Sequence, residues 1–296
     1  MQADLRPAST VAKEVLYVGK SGGIRTEKGR WVLISLSPRP AQLIYYQSLS
    51  PELTAWLMEQ SVFFIASAPL LGKHINLSPK GLPASSFAVL GPNRVAYIDA
   101  PGSGNETISH VYENGRATVM FASFARSPRI LRLFCRGRVV EKEEEEFGKL
   151  LEEMGMQVGE GKGLEAARAV VVMDVWKVQT SCGFGVPIAS TTASPDGEVK
   201  AVFTERDTLA NWGRKMVSQG KMDDYEVEWN SDSLDGLPGL RSARRHGGER
   251  WLWVGDAKAR VKRVFGEWDA LLVGVAVGAV VGAVGMRAVA VAAAGR

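Results

Sequence analysis

Between residues 61 and 178 the chain breaks into short runs in which apolar and polar positions alternate. SVFFIAS (61–67), KHINLS (73–78), SFAVL (86–90), RVAYID (94–99), RATVMFASF (116–124), RILRLFCRGRVV (129–140) and AVVVMDVWKV (169–178) are separated by Gly, Pro, Asn and Ser turn residues. That pattern predicts strands. The alternation is clearest at 129–140. Leu131, Leu133, Cys135 and Val139 fall on one face, and Arg132, Phe134, Arg136 and Arg138 on the other. Helices are brief. Ser50-Pro51-Glu52 opens one over 51–60 with Leu53, Trp56 and Leu57 on one side. Ser103 and Glu106 have capping-box spacing, and Gly115 is a C-terminal stop. EKEEEE (141–146) starts a helix running to about 154, its acids suited to the positive end of the helix dipole, and a further helix is expected at 205–219. Short strands with brief helices predict a mainly β protein, a small closed or partly closed barrel. Alternating βαβ units are absent, which argues against a doubly wound nucleotide fold.

The two ends differ from this middle. Residues 1–41 hold no apolar run of signal-peptide length and are broken by Gly19, Gly22, Gly23 and Gly29, so they read as a poorly ordered extension. The barrel is expected over 42–189. Residues 190–268, rich in Ser, Asp, Gly and Arg, read as a partly ordered C-terminal helical arm. Within 269–296, the run from Ala270 to Met286 carries no charge, follows Lys262 and Arg263, and places Gly274, Gly278 and Gly282 four apart. A crossing helix needs about 17–25 residues, so this is a candidate membrane anchor with a cytosolic basic flank. The expectation is a cytoplasmic barrel tethered at its C-terminus.

Composition narrows the function classes. Of 296 residues 46% are hydrophobic and 23% charged, which suits a packed globule. The formal charge of +4 resides entirely in residues 1–41, where seven Lys or Arg face three acids. The body of the fold therefore lacks the basic patch of a nucleic-acid-binding protein. Two cysteines exclude a multi-cysteine metal site. Cys135 reads as a small core residue. Cys182, in SCGFGVP, is balanced between a reactive thiol and a tight structural loop. His74, His110 and His246 are scattered, with no HExxH or GxSxG motif, and His110 reads as a surface or capping residue.

Anion binding is the chemistry that remains. Gly102-Ser103-Gly104-Asn105 opens a helix and exposes N–H groups that can hold a phosphate, although Asp99 and Glu106 bring negative charge close by. Ser78-Pro79-Lys80-Gly81 places a hydroxyl, an ammonium and a flexible turn at a strand end. Arg116 and Arg132 add cations at other strand ends, where the arginine-bearing face meets either solvent or an anion.

FFIASAP, HINLSPKG, RVAYID, GSGNET, ENGRATVMF, RILRLFCRGRVV, TSCGFGVP and SLDGLPGL occur in this order. Together they resemble the pyridoxamine 5′-phosphate oxidase-like proteins from about Gln42 to Leu240. The resemblance implies a six-stranded antiparallel split β-barrel, a homodimer, and FMN held at the subunit interface. Carried over by position, it implies phosphate contacts from Ser78, Lys80, Gly81, Arg116 and Arg132. Gly104, Asn105 and Thr107 would form a further contact, and the backbone from Val95 to Asp99 would lie along the flavin ring. Enzymes that oxidise pyridoxamine phosphate end in an Arg-Leu-x-Pro type segment, whereas this chain reads WLWVGDAKARVKRVFGEWD there. The expectation is an FMN-dependent oxidoreductase acting on some other small molecule. A non-catalytic binder of flavin, haem or a deazaflavin, or a scaffold without cofactor, remain alternatives on the same barrel.

Overall fold

The computed structural model describes residues 24–25, 31–32, 44–156, 166–193 and 198–266. Two short strands, β1 (Ile24–Arg25) and β2 (Trp31–Val32), pair with each other. The main sheet is built from β3 (Ile44–Tyr46), β4 (Phe63–Ser67), β5 (Asn76–Lys80), β6 (Phe87–Gly91), β7 (Arg94–Asp99), β8 (Arg116–Ala122), β9 (Ile130–Glu141) and β10 (Ala169–Ser181). It is antiparallel and ordered β5-β4-β8-β9-β10-β7-β6. β10 is long enough to serve three neighbours. β9 runs along one side of it, while β7 pairs with Ala169–Asp174 and β3 with Val178–Thr180 on the other.

Two expectations need correction here. Among the described residues the sheet has eight strands rather than six, and hydrogen bonds do not close it into a barrel: β5 and β6 are left as edges. Side chains fill the gap instead. Phe63 on β4 meets Phe87 on β6 at 5.2 Å and Tyr97 on β7 at 6.1 Å, and Phe87 meets Phe121 on β8 at 5.3 Å. Edge-to-face rings of this kind hold the two ends of a curled sheet together by packing. We call this junction the seam.

Each face of the sheet has its own core. Inside the curl lie Ile65, Val95, Val119, Leu131, Leu133, Met173 and Val178, capped by Leu53 and Leu57 of α1 (Pro51–Met58). Ser50 accepts the Leu53 N–H at 3.3 Å, the N-cap expected from sequence. Outside, Phe147, Leu150 and Leu151 of α4 (Glu145–Glu153) pack on Val140, Val170 and Val172. A short α2 (Pro83–Ser86) precedes β6. α3 (Glu106–Asn114) buries Thr107, Ile108, His110 and Val111, and ends at Gly115 with φ 69°. Its N-cap is Asn105, which makes no side-chain capping bond, so the expected capping box from Ser103 does not form.

After β10, a hairpin of β11 (Ile188–Ala193) and β12 (Val199–Thr204) follows. Arg206 ties it down, donating to the carbonyls of Val186 at 2.6 Å, Arg126 at 2.9 Å and Ser123 at 3.3 Å. The chain then divides into two compact units between Ala210 and Asn211, within α5 (Asp207–Ser218). In the second unit α6 (Met222–Asn230), α7 (Arg241–His246) and α8 (Leu252–Gly266) follow. Trp212 and Tyr225 stack edge-on at 4.9 Å, and buried Arg244 bonds both Glu249 oxygens and Asp256 at 2.7–2.8 Å. Among the described residues no helix is long and apolar enough to cross a membrane, and the anchor read at 269–296 lies outside them.

Candidate functional site

At the seam, the inward side of β5 faces the end of β7 and the start of α3. Strand pleating sends Asn76, Ser78 and Lys80 inward with Phe63 and Ile65, their neighbours on β4. Lys80 Nζ reaches Asp99 Oδ1 at 3.0 Å and lies 5.3 Å from the Tyr97 ring centroid. Asp99 Oδ2 is bonded by Arg168 Nε at 2.7 Å, and the same guanidinium donates to the Gly104 carbonyl at 3.1 Å. The Asp99 carboxylate is thus buried and shared by two half-exposed cations, which leaves one positive charge in surplus among the three groups. Of the two acids that counted against an anion at this turn, Asp99 is neutralised within the protein.

A polar chain continues from there into the fold. Asn76 Nδ2 donates to Thr107 Oγ1 at 2.8 Å, and Ser78 Oγ donates to Asn76 Oδ1 at 3.0 Å. Ser67 Oγ and His110 Nδ1 are 2.9 Å apart and both residues are buried, so His110 is an interior residue rather than the surface one expected. Among the described residues the Tyr97 hydroxyl is the one buried side-chain polar atom without a well-formed hydrogen bond, with the Thr107 hydroxyl as its polar neighbour. Burial, reinforced by Asp99, pushes its pKa far above the ordinary phenol value, so it is a neutral donor at any physiological pH.

The residues expected to bind phosphate therefore fall into two groups. Ser78, Lys80, Asp99, Gly104 and Thr107 are linked through the seam, with Asn105 as the N-cap of α3 beside them. Gly81 follows Lys80 in the turn, with open space around it. Arg116 and Arg132 are elsewhere. They share the opposite sheet face, where Arg116 is opposite Arg136 and Arg132 opposite Met120 on the β8–β9 ladder. Arg116 is exposed and bonds Asn114 Oδ1 at 3.2 Å. Arg132 is half-buried and donates to Gln179 Oε1 at 3.3 Å and Ser181 Oγ at 3.4 Å, and burial lowers its pKa.

Arg168, Tyr97 and Asn76 were not singled out from sequence as side chains of this site. Arg168 arrives through register. Ala169 is paired with Asp99, and the Arg168 N–H bonds the Asp99 carbonyl at 2.9 Å. The signal that existed was an arginine immediately before a long apolar strand. Of the cysteines, Cys135 is buried and its thiol is pushed up to about 12 by burial. Cys182 is half-buried beside Gly183, whose φ is 63° and whose added Cβ would stand 2.7 Å from the Arg129 backbone nitrogen. That close approach makes the loop structurally tight. Among the described residues no cluster of His, Cys, Asp or Glu could hold a metal ion.

The fold is a curled antiparallel sheet with a cationic polar seam beside a helix N-terminus. A model of the pyridoxamine 5′-phosphate oxidase family matches residues 49–182, which contain the whole seam and every strand of the main sheet except β3. The pyridoxamine 5′-phosphate oxidase family protein ustO of Aspergillus flavus is 51% identical over 212 residues, covering 71% of this chain and 83% of that protein. The chain belongs to the pyridoxamine 5′-phosphate oxidase family. Solved structures similar to it include HutZ, the heme storage protein of Vibrio cholerae, with a TM-score of 0.34 and 16% identity over 45% of this chain and 94% of that one. Another is the FAD binding protein of Mycobacterium smegmatis, with a TM-score of 0.31 and 12% identity over 45% of this chain and 95% of that one.

Proposed function

We propose that the protein is an FMN-binding flavoprotein and an FMN-dependent oxidoreductase of the pyridoxamine 5′-phosphate oxidase-like class, working as a homodimer on a small-molecule substrate. The observation that carries this reading is the Lys80–Asp99–Arg168 cluster, two cations on one buried carboxylate, bonded through Arg168 to the Gly104 carbonyl just before α3 and lying beside the Tyr97 ring. A phosphate at that turn would accept from free helix N–H groups, from Lys80 and from Ser78 or Thr107, and its charge would be met by the cationic surplus of the Lys80–Asp99–Arg168 cluster. Family membership supports the same assignment. Arg116 and Arg132 lie on the other sheet face of the same chain, away from this cluster.

The redox chemistry would be the flavin's own. The chain's part is to hold the phosphate, to pair Asp99 with two cations, and to shield the seam from water with the Phe63–Phe87–Phe121 rings. Because the segment after α7 does not carry the Arg-Leu-x-Pro pattern, the proposed substrate is not pyridoxamine phosphate.

Absorption spectroscopy of the purified full chain tests this reading. The expected preparation is yellow, releases FMN on denaturation, and bleaches anaerobically with reduced nicotinamide. A colourless protein that takes up no added FMN overturns it. A Soret band would instead assign haem, and a deazaflavin spectrum a deazaflavin. Lys80→Ala is expected to weaken FMN binding by about 1.5–3 kcal/mol, the worth of a hydrogen bond to a charged group. An unchanged affinity would remove Lys80 from the site.

A further inference from the structure

The second compact unit concentrates charge that the chain as a whole does not show. Residues 241–263 hold eight Lys or Arg against two acids, Glu249 and Asp256. Both acids are spent on one side chain, the buried Arg244 of α7. Arg241, Arg245, Arg250, Lys258 and Arg260 are exposed, and among the described residues none of them forms an ion pair. The net positive charge of this stretch is therefore turned to solvent.

α8 sets part of that charge around an apolar centre. At about 100° per residue, one side of the helix reads Arg260, Trp253, Ala257, Val261 and Lys258 in angular order, and all five are exposed. The opposite side is the covered one. Leu252, Asp256 and Ala259 are half-buried there, and the Asp256 carboxylate and the Leu252 carbonyl accept from Arg244 at 2.8 and 2.9 Å. Packing on α7 thus turns the Trp253–Ala257–Val261 stripe outward, with one cation on each border. Trp253 is 67% exposed, and Trp251, just before the helix, 66%. A convex helix face offers no pocket for a small ligand, and a nucleic acid would need cations where this arc carries Trp, Ala and Val. A lipid surface suits both parts. Indole rings settle at the boundary between headgroups and acyl chains, and Lys and Arg lay their stems on apolar surface while their heads reach anionic headgroups.

We propose that the outward arc of α8 docks on an anionic membrane surface. Trp251 and Trp253 enter the headgroup layer, Lys258 and Arg260 meet the lipid anions, and the other unpaired arginines of the stretch add long-range attraction. The proposal is independent of the flavin reading, and it does not require the uncharged run 270–286 to cross the bilayer.

Vesicle flotation of the full chain tests it, with phosphatidylcholine alone and with an equimolar mixture of phosphatidylcholine and phosphatidylserine. Binding to the mixed vesicles is expected to be at least tenfold tighter, and to weaken at least tenfold when Lys258→Glu and Arg260→Glu are combined. Brominated acyl chains in the mixed vesicles should quench a larger fraction of wild-type tryptophan fluorescence than of the double variant Trp251→Phe with Trp253→Phe. All four side chains are exposed, so both double variants should keep the wild-type thermal midpoint. The proposal is overturned if the chain binds neither vesicle, or if fractional quenching is the same with and without the two tryptophans. It is equally overturned if phosphatidylserine and the charge reversals make no difference, which would leave the bilayer to the uncharged run 270–286. A single-stranded RNA that binds the chain while vesicles do not would make the arc a nucleic-acid contact instead.

Discussion

Asp99 shows how one carboxylate can be compatible with an anion site. It is held by Lys80 at 3.0 Å and Arg168 at 2.7 Å, so its charge is spent inside the protein. Glu106 is the acid left over. Its carboxylate folds back against Gly104, beside the turn where a phosphate would sit. Glu106→Gln removes that competing charge and is expected to tighten FMN binding by about 0.3–1 kcal/mol, the usual worth of one charge at a helix end; fluorescence titration of the apoprotein reads it, and weaker binding would move the phosphate away from this turn. Cys135 makes a second residue-level prediction. Its thiol is pushed up to about 12 in the fold, against roughly 8.5 in an open chain. Between those values the unfolded chain has released the proton and the folded one has kept it. Stability contributed by this group is therefore intact below about pH 8.5 and falls as pH rises through the window, by about 1.4 kcal/mol per unit. Denaturant titrations of wild type and Cys135→Ala from pH 8 to 10.5 should show the shallower decline in the variant. Parallel declines would refute the assignment.

Elements are where sequence and structure diverge in instructive ways. The loop after β10 turns on Gly183. Its φ of 63° is unfavourable for an L side chain, and a Cβ would strike the Arg129 backbone, which cannot move aside as a side-chain tip can. Gly183→Ala is expected to cost about 2 kcal/mol or more, read as a lower thermal midpoint, while Gly185→Ala, with open space around it, should be nearly silent. β9 was legible because Leu131, Leu133 and Cys135 alternate with Arg132, Phe134 and Arg136 without interruption. β10 was legible only to 178. The bulge at Trp176 breaks its alternation, and Gln179, Thr180 and Ser181 look polar although the first two are buried. β3 escaped notice because it is three residues long and owes its existence to pairing with Val178–Thr180. The site was legible in part for the same reason. Ser78, Lys80 and Thr107 stand in turn and helix-start patterns that any reader of the chain meets. That Lys80 reaches Asp99, or that Arg168 does, follows from how β5 and β7 meet across the seam and from the β7–β10 register. No local pattern encodes either.

For the whole molecule, the edge strand β5 poses a problem that a second copy would resolve. Leu70 is 59% exposed, Leu71 95%, Ile75 81%, Leu77 60% and Leu82 57%, so five aliphatic side chains crowd one stretch of 13 residues. Single exposed leucines are ordinary, but a contiguous group of this size on a monomer usually marks an interaction surface. Ile75 and Leu77 point outward because Asn76 and Ser78 point into the seam, so the same pleat that builds the site also sets out the patch. Pro79 limits how a partner can approach. It has no N–H, so β5 cannot be extended by a fully bonded strand. Contact through side chains is the alternative, and it would set the β5 side of one seam close to the partner. Light scattering of the full chain is expected to give a dimer. Leu71→Asp with Leu77→Asp, which buries no new charge in the protomer, should shift it to a monomer of unchanged thermal midpoint measured at low concentration. If FMN lies between subunits, as the family resemblance implies, the monomer should also bind FMN at least tenfold less well although Lys80, Tyr97 and α3 are untouched. A wild-type monomer, or a dimer indifferent to both aspartates, would leave the patch to another partner and confine the flavin site to a single chain.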